Sequence, residues 1–108
     1  MADPIRGEVW LTDLGYLAKV RPCLILNVPF SDTERSLFTL VPHTTSPRDS
    51  RFEVQLRAAF LKAGVFDAQS LVTVPPVRFI RRLGTLTPEE LQAVEAAVAS
   101  WLGLSRGS

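Results

Sequence analysis

The stretch TPEELQAVEAAVASWLG (87–103) decides how the rest of the chain is read, because its hydrophobic period differs from everything before it. Thr87 followed at the third position by Glu90 is a capping box, and Pro88 suits the first helical position, where its missing N–H costs nothing. Leu91, Val94, Val98, Trp101 and Leu102 then recur at helical spacing, and Gly103 is a natural stop. The spacing predicts a helix over 88–102 whose apolar stripe packs against a sheet. Trp101 stands on that stripe as a structural residue; if fully buried, its truncation to alanine costs roughly 3–5 kcal/mol.

Upstream the chain reads as short strands. EVWLTDL (8–14) is rich in β-formers, and PCLILNV (22–28) is a continuous apolar run too short for a useful helix. The polar SDTERS (31–36) is a turn or loop, followed by LFTLVPH (37–43). RFEVQLR (51–57) alternates, with Phe52, Val54 and Leu56 on one face and Arg51, Glu53, Gln55 and Arg57 on the other. SLVTV (70–74) is the fifth strand, stopped by Pro75 and Pro76. With no repeat and no linker, 108 residues suit a single domain over 1–108. The expected fold is mainly β with a C-terminal α-helix: a small curled antiparallel sheet or SH3-like barrel. That architecture hosts many functions and selects none.

Composition narrows the chemistry. A single cysteine, Cys23, excludes an intramolecular disulfide, and with His43 the sole histidine there is no Cys/His cluster for zinc. No apolar run is long enough to span a bilayer, and MADPIRGEVW lacks the apolar core of a signal peptide, so the cytoplasm is the expected location. The net charge of +1 gives no bulk attraction to nucleic acid, but the cations are mostly arginine, Lys19 and Lys62 being the only lysines. Arginine presents a rigid fork that matches phosphate oxygens in pairs. The arginines cluster in RFIRR (78–82) and PRDSR (47–51).

Motifs for nucleotide-binding loops, serine hydrolases and zinc proteases are missing. A Cys23–His43 nucleophile pair is disfavoured, since a thiol inside an apolar strand is usually inert. Glu89, Glu90 and Glu95 belong to a helix start and its exposed face. Two features remain. Arg21 precedes Pro22 at the mouth of an apolar strand, where proline fixes its own backbone and restricts its neighbour. In VPHTTSPRDS (41–50), the hydroxyls of Thr44, Thr45 and Ser46 follow a strand end, with Arg48 close behind. Hydroxyls and backbone N–H groups there suit phosphate oxygens, although the same residues also cap ordinary turns.

RGEVWLTDL, RPCLILN, VPHTT, FEVQL and RLGTLTPEELQAVEAAVASWLGL, in that order, resemble the MazF/PemK family of toxin endoribonucleases over almost the whole chain. The resemblance implies a MazF/CcdB-like fold and a homodimer. It also implies cleavage of single-stranded RNA without a metal or other cofactor, leaving a cyclic phosphate and a 5′-hydroxyl, and silencing by a cognate antitoxin. The arginine of the family's R-P step falls on Arg21 and the first threonine of its P-x-T-T step on Thr44; these are the expected catalytic pair. Gln69 stands near the family's D-Q pair, although FDAQ (66–69) displaces Asp67.

The longer G-S-E-Q loop of such proteins is missing, and only LGYLAKV (14–20) lies between Asp13 and Arg21. Tyr16 can stack on any base there and Lys19 can meet a phosphate, so cleavage is expected to be less sequence-selective. Thr45, Ser46, Arg48, Arg78 and Arg81 are further expected RNA contacts. His43 is an available titratable group, but it neighbours Thr44 on a strand and so points to the opposite face. Two alternatives remain at this level: a toxin of related fold that binds a protein such as gyrase, and a non-catalytic SH3-like interaction module.

Overall fold

The computed structural model describes residues 3–17 and 19–104. Seven strands and one helix follow in the order β1 (Glu8–Asp13), β2 (Val20–Ile25), β3 (Phe38–Thr44), β4 (Glu53–Val54), β5 (Val65–Asp67), β6 (Val72–Val74), β7 (Phe79–Thr85) and α1 (Pro88–Leu102). The sheet runs β4-β5-β3-β2-β1-β7, and β6 pairs with β3 off that path. Every pairing is antiparallel. β3 divides its free edge: Phe38–Leu40 pair with β6, while His43 and Thr44 pair with β5. Register shifts between β1 and β7, at Val9/Trp10 and Leu11/Thr12, bend the other side of the sheet.

Both faces of the central strands are covered, which is why residues 22–26 read as an unbroken apolar run. One face buries Val9, Leu24, Val41 and Phe66 under Val94 and Val98 of the helix. The other buries Trp10, Cys23, Ile25, Phe38, Leu40 and Val74, with Phe79 edge-on to both Trp10 and Phe38. Inside that apolar layer, Glu8 is buried and accepts N–H groups from Trp10 (2.9 Å), Ile5 (2.9 Å) and Arg82 (3.2 Å). Burial pushes the Glu8 carboxyl up, but these donors outweigh it and hold the group below its ordinary value.

The helix begins and ends as the sequence predicts. Thr87 N–H donates to Glu90 Oε1 (2.8 Å) and Glu90 N–H to Thr87 Oγ1 (3.2 Å). At the other end Gly103 takes φ +71°, and the N–H groups of Gly103 and Leu104 close on the carbonyls of Ser100 and Ala99 in a Schellman arrangement.

Three expectations are corrected. The sheet has seven strands, because 65–67 and 79–85 also pair. Three residues carry no readable period, and β7 is an edge strand with most of its side chains exposed. In 51–57 the alternation of exposure is real, but only Glu53 and Val54 join the ladder. Finally, Trp101 is 42% exposed rather than buried, resting edge-on against Phe52 at 5.2 Å. Trp101→Ala is therefore expected to cost about 2 kcal/mol, less than a fully buried ring, from the part of its surface that is covered and its one aromatic pair. Urea midpoints would check this, and a loss about twice as large would show that the ring is fully enclosed.

Candidate active site

The open end of the β2–β3 ladder holds the site. Cys23 lies opposite Pro42, and the same register carried on two residues sets Arg21 opposite Thr44. Since side chains alternate, both belong to the face that carries Cys23 and Pro42. On its other side Arg21 is paired with Thr12 of β1, so a ladder to β1 supports the guanidinium's backbone just beyond the end of the β2–β3 pairing. A groove of about 520 Å³ opens here, lined by Arg21, Thr44, Ser46, Arg48, Glu53 and Asp67, with Leu14, Pro42 and Ser70 among its walls.

Thr44 meets both readings of its sequence context. Its Oγ1 accepts the N–H of Ser46 (3.1 Å), the ordinary turn-capping bond, and this leaves the hydroxyl proton to donate into the groove. Its backbone is held from behind by Gly64. A Cβ on Gly64 would stand 2.2 Å from the Thr44 carbonyl oxygen and 2.8 Å from His43 Cε1, so only glycine admits this approach.

Two carboxylates line the groove that sequence reasoning did not assign to it. Glu53 Oε1 accepts N–H groups from Arg48 (3.1 Å) and Ser50 (3.1 Å), and Oε2 accepts from Arg48 (3.0 Å). These backbone donors, Arg48 first, lower the Glu53 carboxyl from its ordinary value. Asp67 accepts the N–H of Gln69 (3.1 Å) and the hydroxyl of Ser70 (2.7 Å) at the start of a 3-10 turn (Ala68–Ser70). The signal for Glu53 was its place on the polar side of RFEVQLR. Asp67 had only its nearness to Gln69.

The other expected contacts divide by location. Ser46 and Arg48 line the groove with Arg21 and Thr44. Tyr16, 96% exposed, and Lys19, at φ +63°, stand on the β1–β2 hairpin, which among the described residues reaches the groove through Leu14. Gln69 is exposed between Asp67 and Ser70, and Arg78 is exposed in a second 3-10 turn (Pro76–Arg78). The RFIRR cluster is split by strand alternation: Arg82 pairs with Glu8, whereas Arg81 borders a second cavity of about 350 Å³ with His43, Thr45 and Lys62. Arg21 borders both cavities. His43 itself is 3% exposed, packs edge-on against Phe66 at 5.0 Å, and leaves Nε2 buried without a partner. Cys23 is buried on the other face, where burial pushes its thiol up to about 12 and makes it inert. Among the described residues no group of three or more His, Cys, Asp or Glu is placed to hold a metal ion, and no helix is long and apolar enough to cross a membrane.

Comparison with known proteins identifies the family and the fold. Residues 5–102 match the model of the PemK-like, MazF-like toxins of type II toxin–antitoxin systems. The chain belongs to this family. It is 30% identical over 104 residues to endoribonuclease MazF4 of Mycobacterium tuberculosis, covering 96% of this chain and 97% of that protein. Among solved structures, a mycobacterial endoribonuclease in complex with its cognate antitoxin superposes with a TM-score of 0.80 at 28% identity, over 94% of this chain and 97% of that one. A MazE–MazF structure from Deinococcus radiodurans gives 0.77 at 26% identity, over 97% and 100%. The family fold, a mainly antiparallel sheet with one C-terminal helix, is thus the fold of this MazF-like chain.

The buried His43 has a consequence for stability. Burial lowers its pKa below the ordinary 6.5, so an unfolded chain binds a proton that the folded chain refuses between those two values. Stability is therefore expected to fall as pH drops below 6.5 through that window. As His43 is the sole histidine, His43→Gln should flatten this slope. Urea midpoints across the window test it, and an unchanged slope in the variant would place the effect elsewhere.

Proposed function

We propose that the Arg21–Thr44 groove is the cutting site of a toxin endoribonuclease acting on single-stranded RNA without a metal. The observation that carries this reading is the meeting of Arg21 and Thr44, from two different strands, on one face at the end of one ladder. In the reaction the ribose 2′-oxygen attacks the adjacent phosphorus and the bond to the 5′-oxygen breaks. The 2′-oxygen gives up a proton and the departing 5′-oxygen gains one. The products are a 2′,3′-cyclic phosphate and a 5′-hydroxyl, with no water consumed.

The hard part is the crowded, doubly negative phosphorane between these states. A guanidinium with two parallel N–H groups stabilises that charge where it develops, and its rigid fork on a paired strand loses little freedom in doing so. The hydroxyl proton of Thr44 is available to a non-bridging oxygen. Arginine is a poor base in proteins, so its part is electrostatic. Ser46 and Arg48 extend the phosphate-binding surface along the groove. Tyr16, Lys19, Gln69 and Arg78, with Arg81 and Thr45 at the second cavity, are the outer contacts of a longer strand, whereas His43, expected as a further contact, is buried against Phe66 and cannot reach one.

A fold similar to that of the antitoxin-bound mycobacterial and Deinococcus structures supports a cognate antitoxin as the protein partner, in the cytoplasm. The family also supports a homodimer. Sedimentation at tens of micromolar is expected to show a dimer, and a monomer alone would count against it.

Cleavage of an unstructured RNA in EDTA tests the central reading. Wild type should give discrete fragments ending in cyclic phosphate. Arg21→Ala should lower kcat by roughly 10²–10³, the usual worth of a preorganised charge stabiliser, and Thr44→Ala by a smaller factor. Turnover of Arg21→Ala within threefold of wild type, with unchanged thermal unfolding, would sink the assignment.

A further inference from the structure

A carboxylate in a groove built for phosphates needs a reason, because like charges at close range repel the substrate. Glu53 lines the same groove as Arg21, Thr44 and Arg48. Its oxygens are engaged by backbone: Oε1 holds the N–H groups of Arg48 and Ser50, and Oε2 holds Arg48 again. The segment it grips is a polar turn with little to fix it otherwise. Residues 45–49 are exposed, and Asp49 takes φ +59°, an uncommon left-handed conformation for a residue other than glycine. Short bonds complete the turn, with Phe52 N–H donating to Ser50 Oγ (3.0 Å) and Glu53 N–H to the Ser50 carbonyl (3.2 Å). Glu53 is anchored in turn by β4, where it lies opposite Asp67.

We propose that Glu53 is the positioning residue of this groove: its carboxylate clasps the 48–50 backbone and so holds Arg48 on the substrate beside Arg21 and Thr44. The inference rests on the RNA-cleaving reading of the groove and adds to it how the third cation is fixed. The bonds that partly compensate the carboxylate's charge are the ones that order the loop, so the groove gains a held Arg48 backbone at a reduced cost in repulsion. A role as general base is the competing possibility. The clasp opposes it, since N–H donors that stabilise the ionised form weaken that form as a base.

The conservative variant separates these roles. An amide oxygen at the Oε1 position still accepts from both Arg48 and Ser50, while the NH2 replaces only the second acceptor of Arg48, so Glu53→Gln keeps one bond to each donor while removing any basicity. On a single-stranded RNA, Glu53→Ala should lower kcat/KM by roughly 10- to 100-fold, the scale of a misplaced substrate-binding group, and Glu53→Gln should restore most of it. Arg48→Ala should lower kcat/KM too, and adding Glu53→Ala to it should cost little more, because both act through one side chain. Amide exchange at Arg48 and Ser50 should quicken in Glu53→Ala and stay slow in Glu53→Gln.

Equal loss in Glu53→Gln and Glu53→Ala with quickened exchange in both variants supports the clasp. If Glu53→Gln is as inactive as Glu53→Ala while its amide exchange at Arg48 and Ser50 stays slow, the carboxylate acts in chemistry and the proposal is overturned. The same follows if Glu53→Ala cleaves like wild type, or if its loss adds fully to that of Arg48→Ala. Those outcomes leave the Arg21–Thr44 reading standing. A wild-type chain that cuts no RNA overturns both.

Discussion

Strand β3 is the constraint on which the rest depends. Its backbone serves β2 along one edge, while the other edge is shared between β6 and β5. A strand so engaged has no freedom to slip, for a shift of one residue would send every side chain to the wrong face. Val41 would leave the helix-covered core, and Leu40 would leave the aromatic layer made by Phe38 and Phe79. The same lock decides the chemistry at the strand's end. Thr44 faces the groove because His43 and Val41 face the core, and Gly64 permits β5 to press close enough to keep it there. The site is a by-product of core packing continued two residues past the core.

Much of this was legible because it is periodic or local. The helix could be read to the residue at both ends, since capping and stop signals act over a single turn. Arg21 and Thr44 could be named because each sits in a short pattern containing a proline. The faces of 51–57 were legible too, but their pairing was not. Alternation reports which side of a chain is covered, and it does not report whether a neighbouring backbone is within hydrogen-bonding reach. The strands at 65–67 and 79–85 escaped for related reasons, one too short for a period and the other an edge whose pattern solvent blurs. Trp101 followed the helical stripe correctly, yet the sheet ends before the stripe does, and the ring rests on Phe52 at the margin.

The least legible feature was the meaning of the charges. Arg81 and Arg82 are adjacent in a run that suggests one basic patch, and strand geometry sends them to different places. Arg82 joins the buried carboxylate of Glu8, where Trp10 and Ile5 also donate, and becomes part of the fold. Arg81 is left at the margin of the second cavity. A count of cations therefore overstates the surface available to phosphate, while the net charge of +1 understates it locally. What matters is which carboxylates are already engaged.

That accounting also bears on how a nearly neutral protein would meet a phosphate in the proposed groove. Of the groove's two acids, Glu53 is engaged by backbone N–H groups and Asp67 by an N–H and a hydroxyl. Backbone dipoles cancel part of each negative charge and leave the guanidinium groups of Arg21 and Arg48 to set the sign of the potential at the strand end. The acids are kept because loops need acceptors: the turn after β3 and the 3-10 turn after β5 both begin on N–H groups that no ladder satisfies. A lysine-rich surface would reach the same attraction with bulk charge, at the cost of the two-pronged geometry that a phosphorane rewards. On the proposed reading a small number of arginines, set among carboxylates already bonded to their own loops, would supply that geometry while the chain as a whole stays close to neutral.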